Sequence, residues 1–348
     1  MPKQSFDVKL FLTIIALGTI SLSVIFANDK SLASNQFIFW VVGLTAMFVV
    51  TLFEYRALKH ISFPIYLVTL VFLILVLFIG EKVRGSVRWV DLAFFRFQPS
   101  EIAKITTIIS LASFFTNRGA ATFKNVILSV LIFLPIFSLI FIEPDIGSSL
   151  SIIAIAMGVS FAAGLAKKYV LIFIAFIILT SVLSYEILAP YQKARISTFV
   201  NPSADPLGSG YSLIQSKISV GAGQLFGRGL GKGSQSQLNF LPEAESDFIF
   251  ASITEQLGFL GASLVIFLQA HLIYRILSYA NKADRFGKLF VTGVVSLFLY
   301  QFLINVGMNM GIIPVTGITL PLVSYGGSSL ISSLILIGLV FSIRRTHY

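Results

Sequence analysis

Three carboxylates fall close together late in the chain: Glu243, Glu245 and Asp247, in the run Asn239-Phe240-Leu241-Pro242-Glu243-Ala244-Glu245-Ser246-Asp247-Phe248-Ile249-Phe250-Ala251. The run drops directly into an apolar stretch that ends near Tyr279. Charge at the lip of a membrane helix is costly to desolvate and marks a functional site by default. Two more acidic groups bracket a proline in Glu143-Pro144-Asp145-Ile146-Gly147-Ser148-Ser149. Asp145 precedes an apolar run, so an N-cap role alone would explain it; Glu143 has no such explanation. Pro99-Ser100-Glu101-Ile102-Ala103-Lys104 opens another apolar stretch, with the proline suited to a first helical turn. Glu101 and Lys104 are three apart and share a helix face. They read equally as an interior ion pair that fixes helix register and as substrate contacts. Desolvated carboxylates serve as general bases when their pKa rises toward neutrality. Arg, Lys or a carboxylate-held divalent ion would stabilise an anion beside them.

The elements that must position these groups are membrane spans. Of 348 residues, 56% are hydrophobic and 11% charged, whereas soluble domains carry about 25% charged residues. The 34 Phe, 11 Tyr and 2 Trp suit lipid-facing and interfacial surface. The absence of cysteine excludes disulfide and thiol chemistry, and three scattered histidines (His60, His271, His347) argue against a His-rich metal site. A crossing helix needs about 20 mostly apolar residues. Spans are predicted near 8–27, 37–54, 62–80, 99–116, 125–142, 147–165, 168–188, 248–274, 287–310 and 325–343. That makes an all-α polytopic membrane protein of about ten transmembrane helices, a single integral membrane domain over 1–348. No small-residue cleavage site follows the first span, so it reads as an anchor rather than a signal peptide. No repeat interrupts the chain.

Short basic loops set the orientation. Lys9, Arg56, Lys59, Arg118, Lys124, Arg285, Arg344 and Arg345 fall on one side, which places both termini in the cytoplasm. Two longer segments then lie outside, about 81–98 and 189–247, the larger between spans seven and eight. They mix Arg88, Arg96, Arg195, Lys217, Arg228 and Lys232 with Glu81, Asp91, Asp205, Glu243, Glu245 and Asp247. Long loops cross regardless of charge, and a loop of about 60 residues without its own fold is usually functional. The mixture points to an outer polar site able to hold an anion and do proton chemistry; two solvated loops are the plainer alternative.

Other patterns carry less. Gln301, Asn305 and Asn309 form one polar stripe, and Gly307 and Gly311 a small-residue face; helix–helix packing accounts for both. Ser324-Tyr325-Gly326-Gly327-Ser328-Ser329 could form a nest of N–H donors. Gly227-Arg228-Gly229-Leu230-Gly231-Lys232-Gly233-Ser234 misses the P-loop spacing and supports only a flexible basic loop able to pass near phosphates.

Taken together, Arg88-Trp89-Val90-Asp91, Phe97-Gln98-Pro99-Ser100-Glu101-Ile102-Ala103-Lys104, Glu143-Pro144-Asp145-Ile146-Gly147-Ser148, Asp205-Pro206-Leu207-Gly208-Ser209-Gly210-Tyr211 with Gln215-Ser216-Lys217, Leu241-Pro242-Glu243 to Asp247-Phe248-Ile249-Phe250-Ala251, and Pro321-Leu322-Val323-Ser324-Tyr325-Gly326-Gly327-Ser328 resemble the blocks of the SEDS family of shape, elongation, division and sporulation proteins. The likeness runs in order from about residue 80 to the C-terminus. Phe95-Arg96-Phe97-Gln98 and the short C-terminal tail are closer to the rod-shape branch than to the division branch.

The resemblance implies a ten-helix peptidoglycan glycosyltransferase that polymerises lipid II during cell elongation, on the outer face of a bacterial cytoplasmic membrane. It implies a class B penicillin-binding protein as partner, among other elongation-complex membrane proteins, and no nucleic acid. The family's essential aspartate falls on Asp247, the expected general base. Arg88, Glu101, Lys104, Glu143, Asp145, Arg195, Lys217 and Ser324 are the expected substrate-binding residues. Arg88, Lys217 and Arg195 are assigned to the diphosphate. The family usually has His-Thr before the aspartate, where Glu245-Ser246 stand here. An extra carboxylate there could raise the pKa of Asp247 or help bind a cation, so Glu245 and Asp247 are the candidate ligands of a divalent cation, Mg2+ or Mn2+. Two alternatives remain. A lipid II flippase would need a polar path from the inner face. A scaffold for a penicillin-binding protein would not need Glu143, Asp145 and Asp247 together.

Overall fold

The computed structural model describes residues 7–83, 86–91, 96–118, 122–166, 169, 193, 197–208 and 210–347. Arg195 and nearly all of the span expected near 168–188 lie outside them. α1 (Val8–Asn28) starts at an N-cap, Asp7, whose Oδ1 accepts from the Leu10 N–H at 3.1 Å. The other Asp7 oxygen meets Arg275, Tyr279 and Arg344, which ties the start of α1 to two later helices. α2 (Lys30–Leu52) follows after one residue, Asp29, whose carboxylate caps Ser31 and Leu32. The helix therefore begins well before 37, because the cap stabilises a polar first turn that hydropathy does not register.

After α3 (Ala57–Ile79) the chain forms an antiparallel sheet of three short strands, β1 (Glu81–Val83), β2 (Ser86–Asp91) and β3 (Arg96–Phe97), in that order. Only a loop was expected there. α4 (Pro99–Arg118), α5 (Phe123–Ile142) and α6 (Ile146–Ala162) follow, then α7 (Tyr211–Ala222) and the single-turn α8 (Ser234–Gln237). α9 (Ile249–Ser278), α10 (Arg285–Asn309) and α11 (Gly327–His347) complete the chain. Nine expected spans thus correspond to α1–α6 and α9–α11. Among the described residues, seven helices are long and apolar enough to cross a membrane. The two others differ for clear reasons. α6 has 17 residues, and α4 carries Glu101 and Lys104 in its first turns.

Burial follows the same division. α4 is buried on nearly all sides, packed against α3, α6 and α10, and α10 also packs on α6 and α9. α2 and α3 turn large apolar side chains outward, such as Phe37, Phe63 and Phe78. Although consecutive, these two helices do not lean on each other. α2 rests on α1 and α11, and α3 on α4 and α5.

α9 is broken at Gly258, where φ is 70° and ψ −168°, a backbone state that glycine alone adopts without strain. The segment after α7 splices into the break. Gln224 and Leu225 carbonyls accept from Phe259 and Leu260 N–H at 2.8 and 3.2 Å. Arg228 and Gly229 N–H donate to the Glu255 and Gln256 carbonyls at 2.9 and 3.0 Å. The Glu255 carboxylate takes the N–H groups of Gln235 and Ser236, and Gln256 Oε1 takes that of Gly231. The glycine-rich run is therefore stapled to α9. The N–H groups of Gly227, Arg228, Gly229, Gly231 and Lys232 are all bonded within the protein.

Candidate active site

Several parts of the fold meet around a cavity of about 510 Å³. α4, α6 and α10 supply Glu101, Lys104, Asp145, Ser148 and Gln301; the turn before α9 supplies Glu243, Ser246 and Asp247. The sheet and the start of α4 contribute Arg88, Trp89, Arg96 and Gln98, and α2 contributes Asn35 and Phe39. Loop residues Gly317–Thr319 and Tyr325–Gly327 complete the wall.

Asp247 sits in the turn immediately before α9, one residue ahead of the Phe248 N-cap, rather than one turn inside the helix. The turn closes when Ser246 and Phe248 N–H donate to the Glu243 carbonyl at 3.2 and 3.0 Å. Beneath it Leu241, Ala244, Phe248 and Ala251 pack together with Val220 and Val315, which holds the turn on its apolar side. From the other side, Asn305 and Asn309 each donate Nδ2 to the Asp247 carbonyl at 3.0 Å. The carboxylate lies against Gly317, where a Cβ would stand 3.4 Å from Oδ2 and the φ of +74° favours glycine. The Asn305–Asn309 stripe therefore does more than pack helices: it fixes the main chain of the candidate base. Periodicity identifies such a stripe but not what it faces.

Asp145 is the N-cap of α6, with Oδ1 accepting from Ser148 N–H at 3.0 Å. Its Oδ2 accepts from Gln98 Nε2 at 3.0 Å and lies 3.4 Å from Arg88 Nη1. Lys104 Nζ donates to Glu101 Oε1 at 2.7 Å, with both side chains buried. Capping and cavity-lining thus coexist in Asp145, and pairing and cavity-lining coexist in Glu101 and Lys104. Glu143 ends α5 and is fully buried, and neither carboxylate oxygen has a hydrogen-bond partner among the described residues. Burial, reinforced by Asp145 and opposed by Arg88, pushes its pKa up to about 8. It does not line the cavity.

Other expected site residues lie elsewhere. Lys217 is on the exposed face of α7 and lies against Gly311 at the end of α10. Leu213, Ser216 and Ser219 form the buried face, and Ser216 Oγ donates to the Asn309 carbonyl at 2.8 Å. That anchoring turns Lys217 outward, away from the cavity. Ser324 is buried as a tie, donating to the Ser246 carbonyl at 2.7 Å and accepting from Leu320 N–H at 2.8 Å. Glu245 does not line the cavity either. Asn28 hydrogen-bonds its side chain, and burial raises its pKa. Among the described residues no three His, Cys, Asp or Glu side chains gather to hold a metal ion. Of the two candidate cation ligands, Asp247 lines the cavity. Sequence reasoning missed Trp89, Arg96, Gln98 and Gln301 as cavity residues. Trp89, Arg96 and Gln98 stand within the motifs that carry the family resemblance, which is the signal that could have found them.

The fold and cavity define a polytopic membrane protein with acids and bases gathered at one end of its helices. Over residues 6–348 the sequence matches the FtsW/RodA/SpoVE family of cell cycle proteins, and the chain belongs to that family. It is 38% identical to the peptidoglycan glycosyltransferase MrdB of Escherichia coli K12, covering 99% of this chain and 95% of the relative. It is 35% identical to stage V sporulation protein E of Bacillus subtilis, covering 97% and 94%. Among solved structures, a chain from a peptidoglycan synthase complex that coordinates polymerization and crosslinking superposes with a TM-score of 0.87 at 29% identity, with 99% of both chains covered. The rod shape determining protein RodA of Thermus thermophilus superposes with a TM-score of 0.76 at 26% identity, covering 99% of this chain and 98% of that one.

Proposed function

We propose that this chain is a peptidoglycan glycosyltransferase that polymerises lipid II on the outer face of a bacterial cytoplasmic membrane. One observation carries the reading: Asp247 and two carboxylate–cation pairs, Glu101–Lys104 and Asp145–Arg88, open onto one cavity. In the reaction, the acceptor sugar's 4-hydroxyl attacks the anomeric carbon of the donor. The bond from that carbon to the diphosphate breaks, and its electron pair leaves with the polyprenyl diphosphate. Asp247 takes the hydroxyl proton as general base. Arg88, Lys104 and Arg96 meet the departing negative charge. A divalent cation would be shared between one or two cavity carboxylates and the diphosphate itself, since Mg2+ is usually bound through few protein groups. The outward apolar faces of α2 and α3 offer the polyprenyl tail a lateral approach.

A class B penicillin-binding protein is the proposed partner, supported by the likeness to a chain of a synthase complex that also crosslinks. The flippase alternative needs polar groups along the inner halves of the spans. The main polar groups there among the described residues, Gln269 and His271, have structural partners: Gln269 Nε2 donates to the Pro321 carbonyl at 2.7 Å, and His271 stacks on Phe267. The test supplies labelled lipid II to reconstituted protein, alone and with its partner, and scores glycan chains. Asp247→Asn should remain folded in detergent while synthesis falls by about 10²–10⁴-fold. Near wild-type synthesis by that variant would remove Asp247 as base. Movement of lipid II between leaflets without product would favour the flippase.

A further inference from the structure

The glycine-rich run is held to α9 by its backbone and turns its larger side chains outward. Leu225, Phe226 and Leu230 are exposed, Phe226 at 75%, and Arg228 and Lys232 are exposed beside them. Apolar side chains grouped in this way are unfavourable in water and mark a surface that something else covers.

Helix lengths show what covers it. α1 and α9 pack side by side and are tied at both ends. Asp7, which caps the start of α1, meets Arg275 and Tyr279 at the end of α9. Asn28, the last residue of α1, accepts from Gln256 Nε2 at 2.8 Å, just before the break at Gly258. α1 has 21 residues, about 31 Å of helix. The part of α9 after the break, residues 259–278, is about 30 Å long. The hydrocarbon core of a bilayer is about 30 Å thick. With the tied Asp7 end at the cytoplasmic side, both helices put the break at the outer edge of the hydrocarbon. Tilt shortens the vertical rise and moves the break deeper, not further out.

The run is fixed at that level. Gln224 and Leu225 carbonyls accept from the N–H groups of Phe259 and Leu260, whose own side chains face outward from the span. Gly231 lies beside the last turn of α1, where a Cβ would stand 3.8 Å from the Ala27 carbonyl oxygen. Leu225, Phe226 and Leu230 thus extend the lipid-facing surface of α9. Arg228 and Lys232 have apolar stems long enough to carry their charges to the headgroup layer. Glu255, whose carbonyl takes the Arg228 N–H, does not neutralise them: its carboxylate is buried and accepts from Gln235 and Ser236.

We propose that residues 225–232 form an anchor in the outer leaflet, with Leu225, Phe226 and Leu230 in the hydrocarbon edge and Arg228 and Lys232 on phospholipid phosphates. Such a segment lies in the interface without spanning it. It holds the break from which the first turns of α9 lead back to Asp247. The proposal needs only the membrane reading and stands apart from the glycosyltransferase reading.

The chain has no cysteine, so a single introduced cysteine takes a nitroxide label alone. The test uses full-length protein in phosphatidylcholine–phosphatidylglycerol nanodiscs, without a partner protein. Collision rates are measured with oxygen, which partitions into lipid, and with a water-soluble nickel chelate. Phe267→Cys, on an outward face within α9, and Leu207→Cys, in an exposed loop, set the lipid and water references. At Phe226→Cys, and independently at Leu225→Cys, oxygen should collide more often than nickel, as at 267 and opposite to 207. Nickel-dominated collisions at both positions would overturn the anchor and leave the patch to a partner protein. Adding Arg228→Glu and Lys232→Glu to Phe226→Cys should shift the ratio toward the value at 207. An unchanged ratio would overturn the part given to the two cations.

Discussion

Asn309 clasps Asp247 from across the fold, donating Nδ2 to the Asp247 carbonyl at 3.0 Å while its Oδ1 accepts the Ala251 N–H at 2.9 Å. The second bond matters because α9 begins with Phe248 as N-cap, a residue with no side-chain acceptor for the first N–H groups. Asn309 supplies that cap from another helix. Asn309→Asp keeps the acceptor for Ala251 and loses the donors to Asp247 and Asn305. Synthesis by this variant should fall about a hundredfold, the scale of an ångström-sized misplacement of a reacting group. Lipid II affinity should stay within a few-fold. Asn309→Leu should also lower the melting temperature, since it strands a buried N–H at a cost of about 1–3 kcal/mol. Steady-state kinetics with thermal unfolding in detergent separates the two effects.

Arg88 and Lys217 were assigned the same task from sequence and occupy different places. Arg88 lines the cavity, and Lys217 is exposed on α7. Arg88→Gln should weaken lipid II binding by about 10–100-fold, the worth of a charge-assisted hydrogen bond. Lys217→Gln should change it by less than about twofold, in line with an exposed charge. Equal losses from the two substitutions would mean that the diphosphate binds outside the cavity.

Glu143 gives the protein a pH dependence of its own. Its folded pKa, about 8, lies above the ordinary 4.5, so the folded state holds a proton that the unfolded chain releases between those values. The stability of neutral Glu143 is then full below 4.5 and is lost as pH rises through about 8. Glu143→Gln stays neutral throughout. Its melting temperature should match the wild type at pH 5 and exceed it at pH 8.5. A gap that does not vary with pH would show that Glu143 is already ionised in the fold.

The spans were legible because hydropathy and proline or carboxylate punctuation are local signals. Asp145 at the head of α6 and Pro99 at the head of α4 are read directly in that way. What the sequence withheld depends on distant partners. Gln98 reaches Asp145, and Ser324 is bonded to the Ser246 carbonyl. Neither pairing leaves a trace in spacing. The break at Gly258 is invisible locally, since glycine is also tolerated inside a straight helix; only the arrival of Gln224 and Leu225 makes the break satisfiable. The Asn305–Asn309 stripe was seen, but a helical period does not reveal which neighbour it faces.

Glu101 and Lys104 leave one question that a double substitution resolves, whether the pair fixes the helix or meets the substrate. They lie 2.7 Å apart, buried in the first turns of α4 and lining the cavity. Removing one member of a buried pair strands the other charge, at a cost of about 3–5 kcal/mol, whereas replacing both with uncharged residues of similar volume is often neutral. Lys104→Met alone should therefore destabilise the protein strongly. Glu101→Gln with Lys104→Met should restore the melting temperature to within a few degrees of wild type. A purely structural pair would then regain synthesis along with stability. The cavity position argues for the other outcome: the double variant folds, yet binds lipid II about tenfold or more weakly, because Lys104 no longer meets the diphosphate. Recovery of both stability and affinity would assign the pair to helix register and leave the anion to Arg88 and Arg96.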